Sequence, residues 1–256
     1  MKKIVCLLMS LVLLTGCFAA LAEAPATGLI AHYDFEDPTN LGKDVSGNGN
    51  DLVPKGSAPI ASTDAAVGAG ALELDGFGAL VTEVSNGDFS DGLTSYTVSF
   101  YFKHQGYVGE HYRIFSTGYN GCQCGMNHTI GKYTHNGVQF LQYQPIIGDT
   151  GRDFWGRMNE YTTILNDEST EENELKTYHW YVGTYDAQTN TVTAWVDGQL
   201  CATLECVTPT VSCEHFPVSL GGSYVPWLDQ VMQGFVGTVD DVRVYDYAIE
   251  DPSQIN

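Results

Sequence analysis

The chain has 256 residues, with 31 Asp+Glu against 11 Lys+Arg and a formal net charge of −20. So acidic a balance excludes nucleic acid, whose phosphates need basic contacts, and excludes electrostatic docking on an anionic membrane. The 28 Gly and 15 Tyr point to a turn-rich all-β protein with many half-buried rings, and the length fits one large β-domain or two small ones.

The chain opens with a targeting pattern over residues 1–22. Lys2 and Lys3 form a basic n-region, and Ile4 to Leu14 form an apolar stretch too short to span a bilayer comfortably. Two cleavage readings stand side by side. Leu14-Thr15-Gly16-Cys17 reads as a lipobox, which would leave a lipid on Cys17. Ala20-Leu21-Ala22 suits ordinary signal peptidase and would leave Glu23 first. Both predict an extracytoplasmic protein, secreted or anchored to the cell surface, that meets a membrane only through an N-terminal lipid. Residues 23–256 are then the mature chain.

Along that domain, Leu72 and Leu74 precede the turn Asp75-Gly76. Tyr96, Val98, Phe100 and Phe102 alternate with Thr97, Ser99 and Tyr101, which predicts a strand with one apolar face. His179–Tyr185 and Thr191–Val196 repeat the pattern around the loop Asp186–Asn190, and Asp197-Gly198 predicts a tight hairpin into Gln199–Leu204. The acidic run from Asn166 to Glu174 reads as a solvated loop. Cys122, Cys124, Cys201, Cys206 and Cys213 form no CxxC…CxxC pattern, so zinc is not expected. In the last strand, Asp240, Val242 and Val244 are expected to share the core face, with Val239, Asp241, Arg243 and Tyr245 opposite. A carboxylate there needs a partner.

Five blocks in order carry a resemblance: GLIAHYDFED with DVSGNGND (28–51), GALELDGFGALV (70–81), SYTVSFYFK (95–103), YHWYVGTYDAQTNTVTAWVDG (178–198), and VSLGGS with FVGTVDDVRVYDYAI (218–249). Together the chain resembles the laminin-G-like, concanavalin-A-like jelly-roll domains of secreted bacterial proteins. The resemblance implies an all-β antiparallel sandwich of two curved sheets, one domain over residues 23–256. It departs at Tyr178, where the family has tryptophan, and at 118–177, a long insertion without a counterpart. Trp195 stands where the family has a structural aromatic. The resemblance also implies a structural calcium ion, held by the last-strand Asp240 and the acidic loop after the first strand. That loop offers Asp44 and Asn48, with Glu36 completing the shell. The same run is no EF-hand, because its twelfth position is Lys55.

The fold hosts lectins, adhesion modules, hydrolases and lyases, so function must come from the site. Retaining glycosidases need two carboxylates about 5 Å apart. Laminarinase-like members of this fold carry them on one strand as E-x-D-x-E or E-x-D-x-x-E; the nearest pattern is Glu73-Leu-Asp75-Gly-Phe-Gly78, which lacks the last Glu. A lyase-like echo in Tyr101–Tyr107 lacks its companion strands, and Lys103 and His104 read as strand-end surface residues. The expectation is therefore a non-catalytic domain that binds a glycan or, alternatively, an envelope protein. A divergent hydrolase or lyase is the remaining reading. Carbohydrate recognition uses aromatic faces and hydrogen-bonding side chains. Trp155, Trp227, Tyr119, Tyr133, Tyr143 and Arg157 are the candidate ligand contacts.

Overall fold

The computed structural model describes residues 28–83, 88–105, 111–118, 125–135, 138–147, 177–205 and 216–255. The leader reading therefore lies outside the described residues. The strands run in chain order as β1 (Leu29–Tyr33), β2 (Val53–Gly56), β3 (Ile60–Ser62), β4 (Ala71–Asp75), β5 (Gly78–Val81), β6 (Tyr96–His104), β7 (His111–Ser116) and β8 (Met126–His135). They continue as β9 (Val138–Ile147), β10 (His179–Asp186), β11 (Thr191–Val196), β12 (Gln199–Glu205), β13 (Ser219–Leu220), β14 (Ser223–Val225), β15 (Gln230–Met232) and β16 (Val236–Tyr245). Among the described residues no helix is long and apolar enough to cross a membrane.

Among the described residues two large antiparallel sheets and a two-stranded ribbon, β14-β15, result. The larger has the order β12-β11-β10-β6-β16-β4-β3, with β1 also paired to β16; the smaller has the order β2-β5-β13-β7-β8-β9. The segment 118–177 thus contributes the ten-residue strands β8 and β9 to the smaller sheet. The predicted hairpins form as expected. Asp197 and Gly198 both take positive φ, 51° and 75°, as a two-residue turn between antiparallel strands requires.

The core fills the space between the sheets. Tyr96, Val98, Phe100 and Phe102 from β6 meet Tyr112, Ile114 and Phe115 from β7, with Tyr33, Leu72, Val239, Val242 and Val244 behind them. The interior is not purely apolar. His128 of β8 reaches across to the larger sheet, with Nε2 3.1 Å from the Tyr96 hydroxyl and Nδ1 2.8 Å from that of Tyr181. Burial pushes the His128 pKa down to about 3, so the ring is neutral and has one donor and one acceptor for its two neighbours. His104 is buried too, its ring against Phe102, Tyr112 and Phe235, and burial likewise pushes its pKa down to about 3. Lys103 is also buried; it pairs with Asp64, and its Nζ stands 4.8 Å from the centre of the Tyr178 ring. The surface expectation for both residues is corrected. β6 continues to His104, and its end is roofed by other segments.

The expected face of Asp240 is corrected as well. A bulge between Asp240 and Arg243 shifts the alternation of β16, and Asp241 takes φ 46°. Val239 pairs with Phe102 and enters the core; Val242 and Val244 regain it beyond the bulge. Asp240 pairs with Tyr101, so its side chain leaves on the outer face of the larger sheet.

Packing around His128 leaves no room at Gly183. A Cβ there would lie 2.5 Å from His128 Cε1 and 2.8 Å from the Tyr181 hydroxyl. Gly183→Ala is expected to destabilise the domain by about 1–3 kcal/mol through overpacking. At roughly 2–4 °C per kcal/mol for this size, thermal melting reads the loss directly; an unchanged melting temperature would contradict the bridge.

Candidate functional site

The partner of Asp240 is backbone. The residue is fully buried, yet its Oδ2 accepts from Ala66 N at 2.7 Å and Val67 N at 2.8 Å, and its Oδ1 from Asp241 N at 2.7 Å. Glu36 grips the same loop further on, its Oε1 accepting from Ala69 N at 2.8 Å and Gly70 N at 3.2 Å. Gly68 lies between them with φ 66°, and a Cβ there would fall 1.9 Å from Glu36 Oε1. Asp64 of this loop pairs with Lys103, and the Asp64 carbonyl accepts from the Tyr178 hydroxyl. Two carboxylates, a lysine and a tyrosine thus fasten residues 64–70 across the end of the larger sheet.

Asp44 and Asn48 serve a different turn. Asp44 Oδ1 accepts from His32 N at 3.0 Å and Ser46 N at 2.9 Å, and its Oδ2 from Asn50 N at 2.9 Å. Burial works to raise the Asp44 carboxyl, but these hydrogen bonds outweigh it and hold the pKa below the ordinary range. Asn48 turns its Nδ2 to the Leu29 carbonyl at 2.8 Å and the Ile30 carbonyl at 3.2 Å.

Of the four residues expected to hold calcium, Asp240 and Glu36 thus share the 64–70 loop, while Asp44 and Asn48 organise a separate turn. Among the described residues no group of three or more His, Cys, Asp or Glu side chains is placed to hold a metal. Calcium takes six to eight oxygens. Here the Asp44 and Asp240 carboxylate oxygens, and Oε1 of Glu36, face N–H donors instead. This arrangement does not fit the ion.

The aromatic candidates divide sharply. Tyr119, Trp155 and Arg157 lie outside the described residues. Tyr133 and Tyr143 lie on β8 and β9, paired with Phe140 and Ile130 respectively; their side chains are outside the described ones. Trp227 is described, and the residue is 62% exposed. It sits at the tip of the ribbon formed by β14 and β15, in the turn Pro226–Asp229. Leu228 N donates to Val225 O at 3.1 Å, Asp229 takes φ 50°, and the Tyr224 hydroxyl donates to Asp229 Oδ1 at 2.7 Å. Below the tip, Tyr224 and Val231 pack on Ala79, Val81 and Val53, on the outer side of the smaller sheet. Phe216 meets the Trp227 ring edge-on at 5.0 Å. The exposed indole is thus held in one place by a locked turn and a buried ring. Trp195, by contrast, packs with Val182 and Ile249 in a small cluster, as a structural residue should.

For catalysis, Glu73 faces outward from β4 between Ile60 and Thr238. Asp75 caps its own turn, accepting from Phe77 N at 2.8 Å.

The sequence matches the family described as the concanavalin A-like lectin/glucanases superfamily over residues 78–255, and the chain belongs to that superfamily. No curated protein sequence matches it. Among solved structures it is similar to domain 4 of AbnA, a GH43 extracellular arabinanase from Geobacillus stearothermophilus, in complex with arabinotriose. That match has a TM-score of 0.56 at 18% identity, covering 89% of this chain and 96% of that one. It is also similar to the binding domain of botulinum neurotoxin DC, solved with rat synaptotagmin II (TM-score 0.53, 12% identity, 88% of this chain and 50% of that one). The same toxin's binding domain in complex with SialylT matches with TM-score 0.53 and 12% identity, over 88% of this chain and 49% of that one. The chain thus spans about half the length of the toxin structures. Identities this low establish the shared fold.

Two measurements check the Asp240 arrangement. Melting temperatures in excess calcium and in chelator are expected to agree within about 2 °C; a rise of roughly 5–10 °C with calcium would restore the ion. Burial raises the Asp240 carboxyl to about 6 against the pull of its three amide donors. A raised folded-state pKa means this group's stabilisation is full below its ordinary value and is lost as pH rises through about 6. Asp240→Asn should remove that slope, so the wild-type-minus-variant difference in stability falls between about pH 4 and pH 6.

Proposed function

We propose that this chain is a non-catalytic, extracytoplasmic binding domain whose ligand is carbohydrate. The observation that carries the reading is Trp227, a large apolar residue left 62% exposed on a turn that its surroundings hold rigid. An indole face presented in one orientation binds the C–H face of a sugar ring with little ordering cost. The arabinotriose complex of the arabinanase domain supports a saccharide ligand on this fold. The acidic composition favours a neutral glycan over a polyanionic one. The non-catalytic reading is supported by Glu73, which lacks the second Glu of the glycosidase strand motif, and by Asp75, whose carboxylate is engaged in its own turn. The leader pattern, Lys2 and Lys3 ahead of Ile4–Leu14, supports export.

A second reading has its own observation. Leu228 beside Trp227 is 50% exposed, so the tip presents an apolar pair of the kind that protein partners cover. The toxin domain's complex with synaptotagmin II supports a protein partner on this fold.

Affinity electrophoresis of the full chain in gels containing arabinan, xylan or β-glucan separates the two. Retardation by at least one polysaccharide is expected, with Trp227→Ala weakening it about tenfold, equivalent to about 1.4 kcal/mol. Glu73→Gln should leave binding intact, and no sugar should be released by the wild type. Hydrolysis that disappears in Glu73→Gln would overturn the non-catalytic reading. Retardation in no gel, with capture of an envelope protein lost in Trp227→Ala, would favour the second reading.

A further inference from the structure

The outer face of the larger sheet carries a second constellation, on the side of the sandwich opposite the Trp227 ribbon. Its residues come from four adjacent strands in register. Tyr101 of β6 pairs with Trp180 of β10 on one side and Asp240 of β16 on the other. One row along, Ser99 pairs with Val182 and with Arg243, and Arg243 pairs with His32 of β1. Antiparallel partners project from the same face. The rings of Tyr101 and Trp180 lie 6.1 Å apart at 19°, both partly exposed. Trp180 Nε1 donates to Ser99 Oγ at 2.8 Å, which fixes the indole. Beside them Asp241 Oδ1 lies 2.7 Å from His32 Nε2 and accepts from Arg243 Nε at 3.1 Å. Burial works to raise the Asp241 carboxyl, but His32 and Arg243 outweigh it and hold it below its ordinary range.

Two walls bound this strip. Along one side the C-terminal segment crosses the sheet, with Ile249 on Val182 and Trp195, and Ile249 N donating to Thr97 Oγ1 at 3.1 Å. Along the other runs the loop 64–70, fastened by Asp240 and Lys103. Between them the strip leaves Tyr101, Trp180, His32, Asp241 and Arg243 partly exposed, while Ser99, Val182 and Asp240 are covered. It has parallel aromatic rings at one end and fixed donors and acceptors at the other. Its one arginine is already balanced by Asp241. That combination suits neither an anion nor an apolar helix. It suits a neutral, hydroxyl-rich, extended chain.

We propose that this trough is a second carbohydrate subsite, for a neutral oligosaccharide, so that one chain holds two glycan strands on opposite faces. In that subsite Tyr101 and Trp180 contact sugar rings, and Asp241 and Arg243 hydrogen-bond hydroxyls. The inference rests on the carbohydrate reading of the domain but not on Trp227.

Calorimetric titration of the full chain with arabinotriose, xylotriose and laminaritriose tests it, using Tyr101→Thr, Asp241→Asn and Trp227→Ala. Threonine keeps the strand preference at Tyr101, and asparagine keeps the shape of Asp241 and tolerates its positive φ. The wild type is expected to bind two equivalents of at least one trisaccharide. Tyr101→Thr should lower this to one, and Asp241→Asn should weaken that same site about tenfold while the other keeps its affinity. A single equivalent retained in Tyr101→Thr and lost in Trp227→Ala overturns the second subsite and leaves the proposed function standing. A single equivalent lost in Tyr101→Thr and retained in Trp227→Ala supports the trough and removes Trp227 from the binding site. No binding of any trisaccharide by the wild type overturns both.

Discussion

The bulge in β16 is the constraint from which the rest of the outer surface follows. β16 runs through the larger sheet and shares one edge between two strands: β4 pairs with Val236–Val239, and β1 pairs with Val242–Tyr245. Asp240 and Asp241 sit at the handover, where neither strand covers the edge. An extra residue there sends both carboxylates to the outer face while valines continue to fill the core on either side. Each carboxylate then organises what lies over it. Asp240 collects the amides of the 64–70 loop, and Asp241 collects His32 and Arg243. One irregularity thereby closes a gap in the sheet and lays down the polar end of the trough.

A comparable economy operates inside. His128, Tyr96 and Tyr181 join the two sheets through hydrogen bonds in the middle of the core. Apolar packing alone is indifferent to small slides of one sheet over the other. A three-member polar bridge with every partner placed is not, because displacement leaves buried donors unpaired. The register between the sheets is therefore specified, and with it the relative positions of surface features on either side.

The two surfaces proposed to bind glycan rest on local rigidity rather than deep concavity. Trp227 is presented by a short ribbon whose turn is closed by Asp229 and whose underside is packed on the smaller sheet. Tyr101 and Trp180 stand on central strands, held by register and by Ser99. In both places the aromatic ring is oriented before any ligand arrives, which limits the entropy lost on binding. A strongly acidic chain repels anionic partners and exerts no long-range pull on a neutral glycan, so contact geometry must supply the selectivity for such a ligand.

The sandwich was legible in the sequence because strand alternation and turn chemistry are local properties. Tyr96 to Phe102 marked its own core face, and Asp197-Gly198 marked its hairpin, without reference to anything distant. The ordered blocks pointed to the superfamily, and the family match over residues 78–255 shows it. Trp227 was visible as a rim residue because it stood between turn formers. Other features were hidden for a physical reason. A bulge needs only one extra residue, and unbroken alternation through Val239-Asp240-Asp241-Val242 put Asp240 on the wrong face until its neighbours fixed the register. The burial of His104 and Lys103 depends on segments far along the chain folding over the end of β6. Trp180 looked like one more strand residue beside His179. Its meaning came only when cross-strand pairing set it next to Tyr101 and, across β6, on the same face as the pair of Asp241 and Arg243. Sequence alone determined which residues form strands and which of their faces are apolar, because a strand's two-residue period is written in the chain. Tertiary structure alone decided which outward residues meet, because antiparallel pairing joins positions that no sequence spacing records.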